Sequence, residues 1–130
     1  LNATYAALPF RILSTQQIFS SNVRLAACEK VAFHDFKNWY ENTPHRCHYC
    51  DITEAEINQL LQSNKISTKR NRGKKLEIDR KEPDAEYDNL NNLVFSCYWC
   101  NNAKTDTFSA DEFMEVGKAI KNIWQKKLNE

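Results

Sequence analysis

Apolar residues recur along the chain in short blocks whose period changes, and the blocks predict a mixed helix-and-strand domain. Residues 14–41 read mostly as helix: Val23, Ala27 and Val31 recur at helical spacing, and Ala32, Phe33, Phe36 and Tyr40 continue an apolar face. Pro44 stops that helix. Thr53-Glu54-Ala55-Glu56 is a capping-box pattern, followed by Ile57, Leu60 and Leu61 on one face of a helix running to about Gln62. Residues 63–75 read as an exposed basic loop. Leu76-Glu77-Ile78-Asp79 alternates and suits a short strand, and Leu93-Val94-Phe95 suits a second, with a Pro/Asp/Asn-rich loop between them. A helix carrying Asn101 and Lys104 follows. Ser109-Ala110-Asp111-Glu112 caps a last helix with Phe113, Val116, Ile120 and Ile123 as its core stripe. There are no repeats and no low-complexity tracts.

Composition narrows the class. At 130 residues, 42% of them hydrophobic and 12% aromatic, the chain has enough apolar surface for one modest core and is expected to be a single domain over 1–130. No run approaches the 18 or so apolar residues a membrane-spanning helix needs. The opening residues, LNATYAALPFRILS, show no basic stretch followed by a long apolar one, so no signal peptide is expected. Two glycines are too few for a Gly-rich phosphate loop or a dinucleotide-binding turn. The net charge of +1 says nothing by itself about partners.

Five cysteines change the picture. Four fall in two C-x2-C pairs, Cys47–Cys50 and Cys97–Cys100, while Cys28 reads as a buried helix residue. Redox motifs or two disulfides are alternative readings. Paired knuckles in a chain without a secretory signal point more strongly to Zn²⁺ held by four thiolates, and to a reducing, cytoplasmic home. The stretch between the pairs, 51–96, is longer than a simple zinc ribbon requires, so the clamp must enclose something of its own.

Charge is unevenly spread. Lys69, Arg70, Arg72, Lys74 and Lys75 fall within seven residues, whereas Glu82, Asp84, Glu86 and Asp88 lie beyond the first strand. Such a run is either a solvated loop or a segment that tracks a phosphate backbone, and its place just before Asp79-Arg80 favours the second.

The string LEIDRKEPDAEYDNLNNLVFSCYWCNNAKTDTFSADEF resembles the core of the HNH, or ββα-metal, endonuclease family. That family's pattern is an Asp-His pair ending one strand, a loop, an Asn opening the next strand, and a helix bearing Asn or His. Its zinc-bearing members bracket the core with C-x2-C pairs and carry Cys-Asn-x-x-Lys at the second. Asp79, Asn92, Cys97, Cys100, Asn101 and Lys104 match. Arg80 stands where the general-base His usually lies, and a subset of the family, restriction enzymes among them, has Asp-Arg followed by a loop Tyr, matched by Tyr87. Phe36-x-x-Trp39-Tyr40, Tyr49-Cys50 of the first knuckle, Glu54-Ala55, Phe108-Ser109-Ala110 and a late Gly-x-Ala-Ile extend the likeness to about 36–124, leaving 1–35 as a helical extension.

The resemblance implies an α+β, ββα-metal core stapled by a four-cysteine zinc site, with flanking N- and C-terminal helices. It implies a Mg²⁺-dependent (or other divalent cation) DNA endonuclease of restriction or phage-defence type. Asp79 and Asn101 would hold the catalytic cation, one carboxylate and one neutral oxygen, leaving positions open for substrate. Asn92 would orient the catalytic group. Arg80 cannot act as a base but can clamp the scissile phosphate, and Tyr87 would activate or orient the nucleophile. Lys104 is expected to join the basic run on double-stranded DNA. His48, inside the first knuckle, is a candidate for a phosphate contact; His45 reads as surface and His34 as a helix-face residue. Tyr98 and Trp99 read as packing over the zinc. One active site cuts one strand, so a homodimer is expected. The competing readings are a zinc-binding nucleic-acid module without cleavage and a zinc-stapled protein-interaction domain.

Overall fold

A computed structural model describes residues 32–68, 71–85 and 89–130. Their order is α1 (Phe33–Asn42), α2 (Glu54–Gln62), β1 (Glu77–Arg80), β2 (Leu93–Ser96), α3 (Tyr98–Lys104) and α4 (Ala110–Asn129), with one 3₁₀ turn at Leu90–Asn92. Among the described residues no helix is long and apolar enough to cross a membrane.

Two capping boxes start helices where the sequence places them. The Thr53 side chain accepts from Glu56 N while Glu56 reaches back to the cap, and Ser109 and Glu112 do the same for α4. These reciprocal bonds satisfy amide groups that have no partner within the helix. The first helix differs from expectation. It begins at Phe33, with Ala32 (ψ 134°) as a non-helical cap whose carbonyl accepts the first helical bond from Phe36 N at 3.0 Å. Val23, Ala27, Cys28 and Val31, and with them most of the expected helical extension, lie outside the described residues. The helix ends at Asn42, before Pro44.

β1 and β2 pair antiparallel, in the register Glu77↔Ser96, Ile78↔Phe95, Asp79↔Val94 and Arg80↔Leu93. β1 sits one residue later than its alternation suggested, because Asp79 and Arg80 both lie in the ladder. α3 follows β2 directly and packs back on β1, completing a ββα unit. It starts inside the second knuckle rather than after it: Cys97 is its N-cap, and the sulfur accepts from Cys100 N at 3.4 Å.

The core surrounds the cysteines. Cys47, Cys50, Cys97 and Cys100 are buried together with Ile52, Ile57, Leu60, Ile78, Phe95, Phe113 and Trp124. The first knuckle is tied to the hairpin by His48 N–H donating to Phe95 O (2.8 Å). α4 buries only part of the expected line: Phe113 is buried and Ile120 packs against the core, but Val116 and Ile123 do not. Ala110, Phe113, Gly117 and Trp124 are buried, whereas Val116 and Ile123 are 46% and 51% exposed. Gly117 explains the rotation: a Cβ there would lie 2.6 Å from Tyr49 O, so the bare glycine face is the one that can press on the knuckle.

Candidate active site and metal centre

The four knuckle sulfurs lie within 4.8 Å of one another, all buried, and none is in a disulfide. Cys50 Sγ and Cys97 Sγ are 3.6 Å apart. Thiolates at about 2.3 Å from a tetrahedral ion are separated by roughly 3.8 Å, so the donor set fits zinc. Hydrogen bonds from Cys100, Cys50 and Cys97 hold the Cys47 thiol far below its ordinary pKa, and Cys100 is pushed far up, first by its bond to Cys47. Four buried sulfurs gathered at one point, none of them in a disulfide, favour a closed metal site over the redox and disulfide readings.

Asp79 ends the inward face of β1 and is 8% exposed. Its Oδ2 accepts from Tyr49 OH at 2.6 Å and faces Lys104 Nζ at 3.3 Å. Burial raises the Asp79 pKa above its ordinary value, with the Tyr49 hydrogen bond and the Lys104 charge opposing the rise. Tyr49, between two knuckle cysteines, is itself pushed far up by burial and by Asp79, so it remains a phenol and a donor. Phe113 packs edge-on to its ring at 5.2 Å.

Lys104 is corrected from its expected place on DNA. It is 1% exposed, and Nζ donates to Arg80 O at 2.8 Å besides meeting Asp79. A side chain on the inner face of α3, one turn beyond Asn101, points at β1 and cannot reach a phosphate outside. Its positive charge instead compensates the buried carboxylate.

Asn101 lies against Glu77, with Nδ2 donating to Oε1 at 2.7 Å. Glu77 is 2% exposed and is also gripped by Arg72 through two bonds, at 2.7 and 3.1 Å. Arg72 further lies over the Tyr98 ring at 4.8 Å. This is a correction to the basic run, because Arg72 is committed to the core carboxylate. Lys75 pairs with Glu54 at 3.5 Å and Lys74 is exposed. Lys69 and Arg70 lie outside the described residues.

Arg80 faces the loop that follows β1. Its guanidinium donates to Ala85 O at 3.2 Å and to the exposed Asp106 at 3.4 Å. Asn92 clamps that loop: its Oδ1 accepts from Glu82 N (2.9 Å), its Nδ2 donates to Glu82 O (3.2 Å), and its carbonyl accepts from Lys81 N (2.7 Å). The residue ending the loop thus fixes the backbone beside Arg80. Tyr87 lies outside the described residues.

The remaining aromatic and histidine positions divide simply. Trp99 packs edge-on against Trp124 at 5.2 Å, and Tyr98 lies beneath Arg72. His48 is exposed, with its ring 5.2 Å from Tyr49, and His34 is exposed on α1. His45 is exposed but bonds Tyr40 O and rests on Phe95.

No protein-family model and no curated protein sequence matches the chain. A solved structure is similar: that of the rare-cutting HNH restriction endonuclease PacI, a protein that perturbs its DNA. The likeness has a TM-score of 0.64 at 25% identity, over 93% of this chain and 86% of that one. The chain has the fold of an HNH endonuclease. The likeness is consistent with the order of β1, β2 and α3 and with the four-cysteine cluster that brackets them in sequence. It supports nuclease activity.

Sequence reasoning passed over Tyr49 and Glu77. Glu77 had a visible signal, since it is two residues before Asp79 and a strand puts both on one face. Tyr49 was marked only by its position between two ligands and by the likeness of the Tyr-Cys pair, neither of which assigns it a role.

Proposed function

We propose that the chain is a divalent-metal-dependent endonuclease acting on double-stranded DNA, with Mg²⁺ as its working cation and Zn²⁺ as its structural one. The observation that carries the reading is the pairing of Asp79 on β1 with the Asn-bearing helix α3, inside a zinc-stapled hairpin of HNH fold. Asp79 and Asn101 offer a carboxylate and an amide oxygen, a sparse hard-donor set suited to such a cation. When bound, the cation supplies charge stabilisation for the phosphate and the leaving 3′ oxygen.

The chain's own groups then have separable tasks. Tyr49 and Lys104 hold the inner oxygen of Asp79. Arg80 carries a permanent positive charge to the phosphate; its exposed contact with Asp106 is a weak surface pair that can be exchanged for a phosphate oxygen. Asn92 keeps the loop in register beside it. Tyr87 is assigned the proton transfer or the orientation of the nucleophile. Lys69, Arg70, Lys74 and Lys75 contact the backbone at a distance from the chemistry. Restriction or defence in the cytoplasm, by a homodimer cutting both strands, is the setting this activity fits.

A binding module without cleavage is favoured by one observation, the Lys104 ammonium 3.3 Å from the carboxylate that must take the cation. Incubating the zinc-loaded protein with plasmid DNA, with and without Mg²⁺, decides between them. Nicking or linearisation that needs Mg²⁺ and is lost in Asp79→Ala supports the enzyme. Retained binding without any cleavage supports the module.

A further inference from the structure

An asparagine ligates a hard cation only through its oxygen, yet its amide can present either end. A mechanism that uses Asn101 as a ligand therefore needs something to decide which end faces outward. The structure contains such a device in a carboxylate to which the proposed chemistry gives no task. Glu77 is 2% exposed, lies on the same face of β1 as Asp79, and meets the Asn101 side chain at 2.7 Å.

The orientation follows from the chemistry of the pair rather than from which atom is drawn as nitrogen. Arg72 donates to both oxygens of Glu77, at 2.7 and 3.1 Å, so each of them already serves as a hydrogen-bond acceptor. Against such a group only the NH2 end of Asn101 is tolerated, because its carbonyl would meet a like partial charge in a buried place. The oxygen of Asn101 is thereby turned away from Glu77.

We infer that Glu77, backed by Arg72, is the positioning residue that fixes the amide of Asn101 with its oxygen outward for a divalent cation. This rests on the proposed role of Asp79 and Asn101 as the catalytic metal site. Glu77 touches neither the cation nor the substrate. It acts through Asn101, as Tyr49 acts on Asp79, and the two together set one oxygen from β1 and one from α3.

The test titrates Mn²⁺ into the zinc-loaded protein without DNA and follows the free-ion signal by electron paramagnetic resonance. Zinc content and melting temperature are measured on the same samples. Glu77→Gln gives its neighbour both a donor and an acceptor, so the amide of Asn101 loses its fixed sense. Mn²⁺ binding should weaken by about tenfold or more, the usual effect of losing a group that orients a ligand, with zinc retained. Adding Asn101→Asp to Glu77→Gln should restore it. A carboxylate has an oxygen at both ends, and the amide introduced on β1 can donate to one of them. Unchanged binding in Glu77→Gln overturns the inference. So does failure of the double variant to recover, since that would make Glu77 a ligand or a support of the fold. Asp79→Ala separates the two levels: if it binds Mn²⁺ as the parent does, the metal-site reading fails, whatever Glu77 does.

Discussion

Replacing Gly117 by alanine sets two effects of opposite sign against each other. In an exposed helix the change would stabilise by about 1 kcal/mol, through propensity alone. In α4 the new Cβ would lie 2.6 Å from Tyr49 O, 2.7 Å from Tyr49 Cβ and 2.9 Å from Tyr49 C. Ordinary contact begins at 3.4 Å, so α4 or the knuckle must give by about 0.8 Å. The obstructing atoms include backbone flanked by Cys47 and Cys50, which a zinc ion on those sulfurs would hold in place. Overpacking of this kind costs roughly 1–3 kcal/mol, and a rigid obstruction belongs at the upper end. The net expectation is a loss of about 1–2 kcal/mol and a melting temperature lower by roughly 4–10 °C. Calorimetry of the zinc-loaded variant measures it. Because Tyr49 also holds Asp79, Mn²⁺ binding should weaken as well, with zinc content unchanged. A melting temperature equal to or above the parent's would refute the argument, showing that the knuckle yields and that α4 does not set Tyr49.

Serine at any one of Cys47, Cys50, Cys97 or Cys100 should abolish cooperative melting or lower its midpoint steeply, with loss of zinc measured by elemental analysis. Neutralising Lys69, Arg70, Lys74 and Lys75 should weaken binding to all DNA sequences and flatten its salt dependence. Lys104→Met should leave the salt slope untouched while destabilising the fold by about 3–5 kcal/mol, because it strands a buried carboxylate; a changed slope with an unchanged fold would put Lys104 back on the DNA. The raised pKa of Asp79 makes its charged form unfavourable to folding. Its contribution to stability is greatest at acid pH and is lost as pH rises from near 3.8 through the folded value. The double change Asp79→Asn with Lys104→Met should remove that pH dependence and give, at neutral pH, a protein at least as stable as the parent and without cleavage. Chemical denaturation from pH 3 to 8 reports this, and a double variant with the parental pH profile would contradict it.

The parts of this fold that local chemistry dictates were legible in the sequence. Both capping boxes, the Pro44 stop and the two C-x2-C pairs specify backbone geometry within four or so residues, and each is found in place. Val116 and Ile123 of the α4 stripe were misread for a physical reason. Periodicity identifies an apolar face by side chains, yet the contact that rotates the helix is made by Gly117, which has none. Lys104 was misread because charge predicts exposure on average, and only the register of α3 on β1 reveals that this ammonium points inward at Asp79. Arg72 failed the same test, since a cation in a basic run looks like its neighbours until the buried Glu77 beneath it is seen.

These misreadings fall on one structural theme. Asp79, Glu77, Lys104, Arg72 and Tyr49 form two buried groupings on the same face of β1, each with a carboxylate, a cation and a second hydrogen-bond donor: Tyr49 and Lys104 on Asp79, Asn101 and Arg72 on Glu77. Asp79 is not well placed for stability alone, as its raised pKa records, and an apolar residue of similar size would suit the core at least as well. What the charged arrangement adds is direction. A carboxylate held at one oxygen by a phenol, and an amide held at its nitrogen by a carboxylate, each have only one end left to offer. The first knuckle supplies Tyr49 and the strand supplies Glu77, so in the proposed metal site the cysteine staple and the hairpin would both act on the orientation of those two oxygens.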